Sequence, residues 1–389
     1  MKVEQVYQLA NDITKQAIGE ENLIKEDLSN VVAWGDEIQN VMGLDNYVKQ
    51  LVDQIGRMVF VNRSYTPVVP SVLMDGWEYG SILEKIATGL PEAQENESWE
   101  LQDGQSYDPY VFKKPDVISK FYNDLRTFEI QMSFAERQVK SAFQSAGQLN
   151  SFFSMIEQSI QNSMAVKTDE MSMRTINNMI GETFYNLDSG GTYTGKTGVR
   201  CVNLLYLYNT EKYGSSTSDY ITAAEFIHDP DAIRFAVNIF KNYIDRLKRM
   251  SVLFNMGGQP RFTPNDRLHV IMLSEFKNAA DVFLQSGTFN DQYTALPGSE
   301  TQVYWQGSGT SYDFADTSKV KIKTALGHDV EAGGIIAVMF DRDALGVCNK
   351  NNRVTSAYNA KAEFYNNFYK FDCNYFNDSN ENFIVFYAA

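Results

Sequence analysis

The chain of 389 residues has a formal net charge of −15, with 43% hydrophobic and 21% charged residues. This is an ordinary globular composition, so a largely disordered chain is excluded. The acidity speaks against tight wrapping of nucleic acid, which calls for a basic surface. At roughly 100–200 residues per domain, two or three packing units are expected.

The charge is uneven. Residues 1–110 hold 19 Asp and Glu against 7 Lys and Arg, while the remainder is nearly balanced at 30 against 27. An acidic region of this kind is either a solvated face or an arm and loop that dock on other subunits or face nucleic acid without adhering to it. The 22 Tyr and 25 Phe suit large cores and extensive interfaces. Cys201, Cys348 and Cys373 form no CxxC pair, and His228, His269 and His328 lack zinc-site spacing, so neither metal nor cofactor is expected. Met1-Lys2-Val3-Glu4-Gln5 opens no apolar signal region, and no run of 18 apolar residues is present. A protein without signal peptide or membrane span, made in a reducing cytoplasm, is expected.

In chain order, Val3, Val6, Leu9, Ile13 and Ile18 predict an amphipathic helix over 3–18, and Val48, Leu51, Val52 and Ile55 a second over 45–55. Met58–Val61 is β-like, and Tyr65–Pro70 is extended. Residues 73–120 show little periodicity, with an acidic stretch from Glu92 to Asp108; a segment so long fits an excursion that packs on something else. Alternation resumes at Phe121–Met132, as the returning strand of a long hairpin. Ser133-Phe134-Ala135-Glu136 reads as a capping box that starts a short helix to about Ala146. A helix of roughly 30 residues, about 45 Å long, follows from Asn150 or Ser151 to about Gly181. Its apolar face runs through Phe153, Ile156, Ile160, Met164, Met171, Ile176, Met179 and Ile180, across a polar middle at Ala165–Ser172.

After a Gly/Thr loop at 188–200, Val202–Tyr208 is strand-like. Asp229 caps a helix with Pro230 in its first turn and Ile233, Val237, Phe240, Ile244 and Leu247 on its core face, ending near Phe254. Leu268–Leu273 is a strand, Ser274 caps the helix Glu275–Gln285, and Ile335–Phe340 is a buried strand. The order from 202 to 340 describes an α/β unit. Ala362, Phe364, Phe368 and Phe371, then Phe383, Val385 and Tyr387, predict antiparallel strands up to the last residue.

One catalytic motif is matched literally. Gly190–Thr197 fits G-x-x-x-x-G-K-[ST], with Lys196 as the phosphate lysine, and Ile335–Asp341 resembles the strand and magnesium-holding Asp that accompany it. That chemistry needs a strand before the loop and a helix after it. Here a helix end precedes and β-like residues follow, so the match reads as a surface loop. Asp341 and Asp343 read as a turn off a strand, and His269 as a core or interface residue. The basic cluster Arg246, Lys248 and Arg249 suits a helix C-terminus or an interface. No catalytic, cofactor-binding or metal residue is assigned.

Several segments resemble capsid proteins of the short-tailed phi29 group of phages. They are Leu51-Val52-Asp53-Gln54-Ile55-Gly56-Arg57, Lys140-Ser141-Ala142-Phe143 followed by Gly147, Ser151-Phe152-Phe153 with the helix after it, Val338-Met339-Phe340-Asp341-Arg342-Asp343, and the C-terminal Tyr/Phe-rich strands. The resemblance implies an α+β, HK97-like capsid fold: an N-terminal arm (1–56), an E-loop (57–130), a peripheral domain with spine helix and β-layer (131–194), an α/β axial domain (195–334) and return strands of the peripheral domain (335–389). It departs from the group's pattern by ending at Ala389, where an immunoglobulin-like domain is expected to follow. The implied function is that of a non-enzymatic major capsid protein of a tailed double-stranded DNA phage, assembled in the host bacterial cytoplasm and residing in the virion. Its implied partners are further copies in hexamers and pentamers, scaffolding and portal proteins, and packaged double-stranded DNA touched non-specifically, with decoration proteins as a further candidate and no membrane. The competing readings are an encapsulin-like nanocompartment shell protein, a P-loop nucleotide hydrolase, and a tail or baseplate protein; the last is disfavoured by the number of helices.

Overall fold

The computed structural model describes residues 83–90, 100–110, 117–122, 125–135, 146–187, 197–214, 216–285, 299–306 and 313–389, with isolated positions elsewhere in the first 114 residues. The helices expected over 3–18 and 45–55 and the extended residues 58–70 lie outside them, apart from Asn11, which is helical. In chain order the elements are β1 (Leu83–Thr88), β2 (Val117–Tyr122), β3 (Leu125–Ala135), α1 (Ala146–Tyr185), β4 (Cys201–Asn203), α2 (Leu204–Tyr213), α3 (Ala223–Phe226) and α4 (Pro230–Leu247). They continue with β5 (Leu268–Leu273), α5 (Ser274–Gln285), β6 (Ser299–Gln302), α6 (Phe314–Thr317), β7 (Val320–Lys323), β8 (Asp329–Ala332), β9 (Ile335–Asp341), β10 (Leu345–Asn359), β11 (Phe364–Asn377) and β12 (Phe383–Tyr387). The chain divides into two units. Among the described residues, one lies within Met1–Glu78, Asp124–Met171 and Val347–Asn374, and the other within Tyr79–Asn123, Ser172–Gly346 and Tyr375–Ala389.

The larger unit is built on a five-stranded sheet of order β4-β12-β9-β5-β6. Strand β12 runs parallel to β4 and antiparallel to β9, and β5 runs antiparallel to β9 and parallel to β6. Every residue of β9 and β12 is buried, as expected of strands covered on both faces. The cover follows from residue parity. Phe386 meets Phe240 and Tyr243 of α4 at ring-centroid distances of 4.7 and 5.3 Å, whereas its neighbour Tyr387 meets Phe184 of α1 at 5.1 Å. Successive strand residues point to opposite faces, so α4 covers one face and the last turns of α1 the other. The chain end is tied in. Ala388 donates its N–H to the Gly334 carbonyl, and the Ala389 carbonyl accepts from the Asn203 side chain. Gly334 has φ +71°, and a Cβ there would lie 2.0 Å from the Ala388 carbonyl oxygen, so only glycine lets the terminus approach.

In the smaller unit, β3 pairs antiparallel with β11, and β10 lies on the other side of β11. The Arg353 guanidinium grips Asp372 with both nitrogens, at 2.9 and 3.0 Å, while Thr127 donates to the same carboxylate at 2.7 Å.

Four readings need correction. Ser133 begins no helix: it lies in β3 opposite Asn366 and bonds that side chain at 2.5 Å. The capping box of the described residues is instead Thr222 with Glu225, at the start of α3. The returning strand of the hairpin is β2, ending at Tyr122; the alternation from Leu125 belongs to β3, in a different sheet. Val202–Tyr208 is strand only to Asn203, whose side chain accepts from the Tyr206 N–H and starts α2. Helix α4 stops at Leu247, not Phe254, because Thr263 donates its N–H to the Leu247 carbonyl and Ser251 pairs with Arg261 in a bridge that turns the chain back.

Candidate functional site

The β1–β2 hairpin has two unlike faces. Residues directly opposed across an antiparallel pair share a face. The inner face therefore carries Leu83 opposite Tyr122, Lys85 opposite Lys120, and Ala87 opposite Ile118; the outer face carries Ile86 opposite Ser119, Glu84 opposite Phe121, and Thr88 opposite Val117. Two lysines directly opposed repel each other. The repulsion is answered by Asp378, whose carboxylate sits 3.5 Å from the Lys85 ammonium and 3.2 Å from that of Lys120. Lys85 also lies 4.4 Å from the centroid of the Phe376 ring, and Tyr122 packs on the same ring at 5.4 Å. Lys120 donates to the Ser379 hydroxyl at 2.9 Å.

Asp378 is nearly fully buried. Burial alone would raise its carboxyl, but the N–H of Asn380 and the two lysines outweigh it and hold the group below the usual carboxylate range. The neighbouring Glu381 goes the other way: burial raises it, although Arg261 pairs with it at 3.2 Å. Together with Asp343 and Asn380 these groups line a small polar cavity of about 190 Å³ at the hairpin root.

The outer face leaves three apolar residues uncovered: Ile86, Val117 and Phe121 are 65%, 51% and 63% exposed. Beyond it, every residue from Glu100 to Tyr110 is exposed, and the tip displays Leu101, Tyr107, Tyr110 and Phe112. So many exposed apolar and aromatic side chains on one hairpin point to an interaction site.

The residues singled out in the sequence fall elsewhere. Residues 190–196 of the P-loop match lie outside the described residues. The described flanks are helix α1, ending at Tyr185, and a turn leading into β4, in which the Thr197 hydroxyl accepts from the Asn203 N–H at 3.3 Å. Asp341 is buried and structural: Thr263 donates to it at 2.9 Å, the Asp343 N–H at 3.0 Å, and Arg267 bridges it to Asp343. His269 is half-buried in β5 beside Phe340, and its imidazole is lowered by burial. Cys201, Cys348 and Cys373 are buried, and none of the three is in a disulfide. Arg246, Lys248 and Arg249 are exposed around the end of α4. The hairpin root was missed by sequence reasoning, since nothing local links Lys120 to Asp378, 258 positions away.

The solved capsid of Staphylococcus phage Andhra superposes with a TM-score of 0.50 at 10% identity, covering 84% of this chain and 86% of that one. A chain from the head-fiber and inner-core structure of native bacteriophage P68 gives 0.48 at 11% identity, with coverages of 84% and 86%. The likeness to the Andhra capsid gives the fold, the α+β, HK97-like fold of tailed-phage capsid proteins. The chain is also 25% identical over 145 residues to the major capsid protein of Bacillus phage GA-1; the match spans 37% of this chain and 29% of that relative. The model of the Phi29-like phage major capsid protein family matches residues 10–387, and the chain belongs to that family.

Proposed function

We propose that the chain is the shell subunit of a tailed double-stranded DNA phage head, joining into hexamers and pentamers that close around the genome. In this reading residues 1–56 are an arm, 57–130 the E-loop, 131–194 and 335–389 the peripheral domain, and 195–334 the axial domain. Scaffolding and portal proteins act during assembly in the host cytoplasm, DNA is touched without sequence preference, and the subunit performs no catalysis. The observation that carries this is the hairpin: its root is anchored by a buried carboxylate while its outer face and tip present apolar side chains to solvent. Exposed apolar side chains of this kind mark a surface that another molecule covers, and the family supplies the occupant, further copies of the chain. Electron microscopy of the purified protein tests this. Closed shells or capsomer rings are expected; monomers at high concentration would overturn the proposal.

A further inference from the structure

We propose that the acidic, aromatic tip of the hairpin of one copy docks on a basic, apolar surface at residues 246–262 of a neighbouring copy. This rests on the shell-subunit reading and names the surface that receives the hairpin. The two surfaces are complementary in charge. Between Lys85 and Lys113 the sequence has no Lys or Arg, while the exposed part of this stretch carries Glu95, Glu100, Asp103 and Asp108. From Arg246 to Phe262 the sequence has Arg246, Lys248, Arg249 and Arg261 and no Asp or Glu. Within the chain Lys248 pairs with Asp245 at 2.8 Å and Arg261 with Glu381 at 3.2 Å, which leaves the exposed Arg246 and Arg249 as the charges most open to an acidic partner.

They also match in apolar character. The basic segment exposes Met250, Val252, Leu253 and Phe262, each about half or more, and Val252 and Leu253 border a groove of about 350 Å³ with Val199, Arg200 and Met256. The tip exposes Tyr110 at 90% and Phe112 at 84%, rings of a size to enter such a groove. Phosphate binding would not call for exposed Leu, Val and Met, so a nucleic acid fits this surface less well than an acidic aromatic loop. The tip is shaped before docking: Gly104 turns at φ +86°, the Tyr107 hydroxyl accepts from the Gln102 N–H at 3.1 Å, and Asp108 accepts from the Tyr110 N–H at 2.9 Å. In the single chain both surfaces are exposed, so the tip does not cover its own copy's patch.

A charge swap in the full chain tests the pairing. Lys248→Glu with Arg249→Glu, and Glu100→Lys with Asp103→Lys, should each cut the yield of sedimenting particles about tenfold, since like charges oppose docking. All four together should restore it to within about twofold of the wild type. All four sites are exposed, and circular dichroism of each variant checks that the fold is kept. Separately, Tyr110→Cys with Leu253→Cys should be joined between chains by a bis-maleimide in assembled particles, the native cysteines being buried. Particles at wild-type yield from either swapped pair, no rescue in the combined variant, or no interchain product would overturn the docking alone. Full particle yield with lost DNA retention in the Lys248/Arg249 variant would assign the patch to nucleic acid instead. Wild-type chains that never assemble would overturn the shell-subunit reading and the docking with it.

Discussion

Asp378→Asn isolates the charge that holds the hairpin root. The substitution keeps the shape and an oxygen for the Asn380 N–H, which reaches Asp378 at 3.0 Å, and removes only the negative charge between Lys85 and Lys120. At an effective dielectric near 20, each ammonium at 3.2–3.5 Å attracts the carboxylate by about 5 kcal/mol before desolvation is counted. Removing one partner of a buried pair costs about 3–5 kcal/mol. The lysines retain 21% and 31% exposure, which lets water recover part of that, so a net loss of about 2 kcal/mol is expected. An isolated two-stranded hairpin is marginal in water, so undocking should unpair β1 from β2. Hydrogen exchange at the amides of β1 and β2 in the unassembled chain is the assay, and opening should rise about 30-fold. The wild type should show the same loss in acid. Because the folded Asp378 carboxyl lies below its unfolded value of about 3.9, its contribution is intact above that pH and disappears as pH falls through the folded value. The variant should lack this step. Exchange unchanged in Asp378→Asn, or raised equally by Asp245→Asn in the exposed pair with Lys248, would refute the charge anchor.

Ile156 and Ile160 of α1 are fully buried, so changing both to Ala should cost about 2–5 kcal/mol each and abolish soluble, assembling protein, whereas Gln158 and Asn162, both exposed, should tolerate Ala; particle yield separates the two pairs. Gly334→Ala should sharply lower the melting temperature because the added carbon meets backbone at Ala388, while Gly333→Ala, with nothing within 4 Å, should not. Lys196→Ala should leave assembly near wild type, and purified protein should show no Lys196-dependent ATP hydrolysis, because the described flanks of the P-loop match are a helix before it and a strand after it.

The central strand β9 and helix α4 were legible because their signals are local: six apolar residues in a row, and Asp229-Pro230 before a regular apolar stripe. The long helix was legible in position but not in extent. Its polar middle stays helical with one side inward: buried Thr168 returns its hydroxyl to the Met164 carbonyl at 3.0 Å, while exposed Lys167 and Glu170 pair with each other at 2.7 Å. Its last turns are buried on nearly all sides, so no single stripe marks them. The strand at β11 was legible but its buried parity was not: Phe364 and Phe368 are partly exposed, and Tyr365, Tyr369, Phe371 and Cys373 are inside. Aromatics occupy both parities there, so alternation cannot choose a face, and the pairing with β3 decides it.

The anchor illustrates a different limit. A hairpin docked through apolar side chains would show its inner face in the sequence as a hydrophobic alternation. Here the inner positions mix Lys85 and Lys120 with Leu83, Ala87, Ile118 and Tyr122, and the outer positions mix Ile86, Val117 and Phe121 with Glu84, Thr88 and Ser119. Apolar residues lie on both faces, so hydrophobicity alone does not choose between them. The two inner lysines are workable because one buried carboxylate satisfies both at once, while Ile86, Val117 and Phe121 stay exposed. Substituting Lys85 and Lys120 by Leu would make the inner face apolar but strand Asp378 as a buried carboxylate with its two cationic partners gone, at a cost of about 3–5 kcal/mol. Combining them with Asp378→Leu removes that cost, as replacement of a buried ion pair by apolar residues is often neutral or better. The triple variant should therefore keep β1–β2 protected from exchange while the double variant loses it; equal protection in both would mean that the hairpin is held by its aromatic contacts at Phe376 rather than by charge.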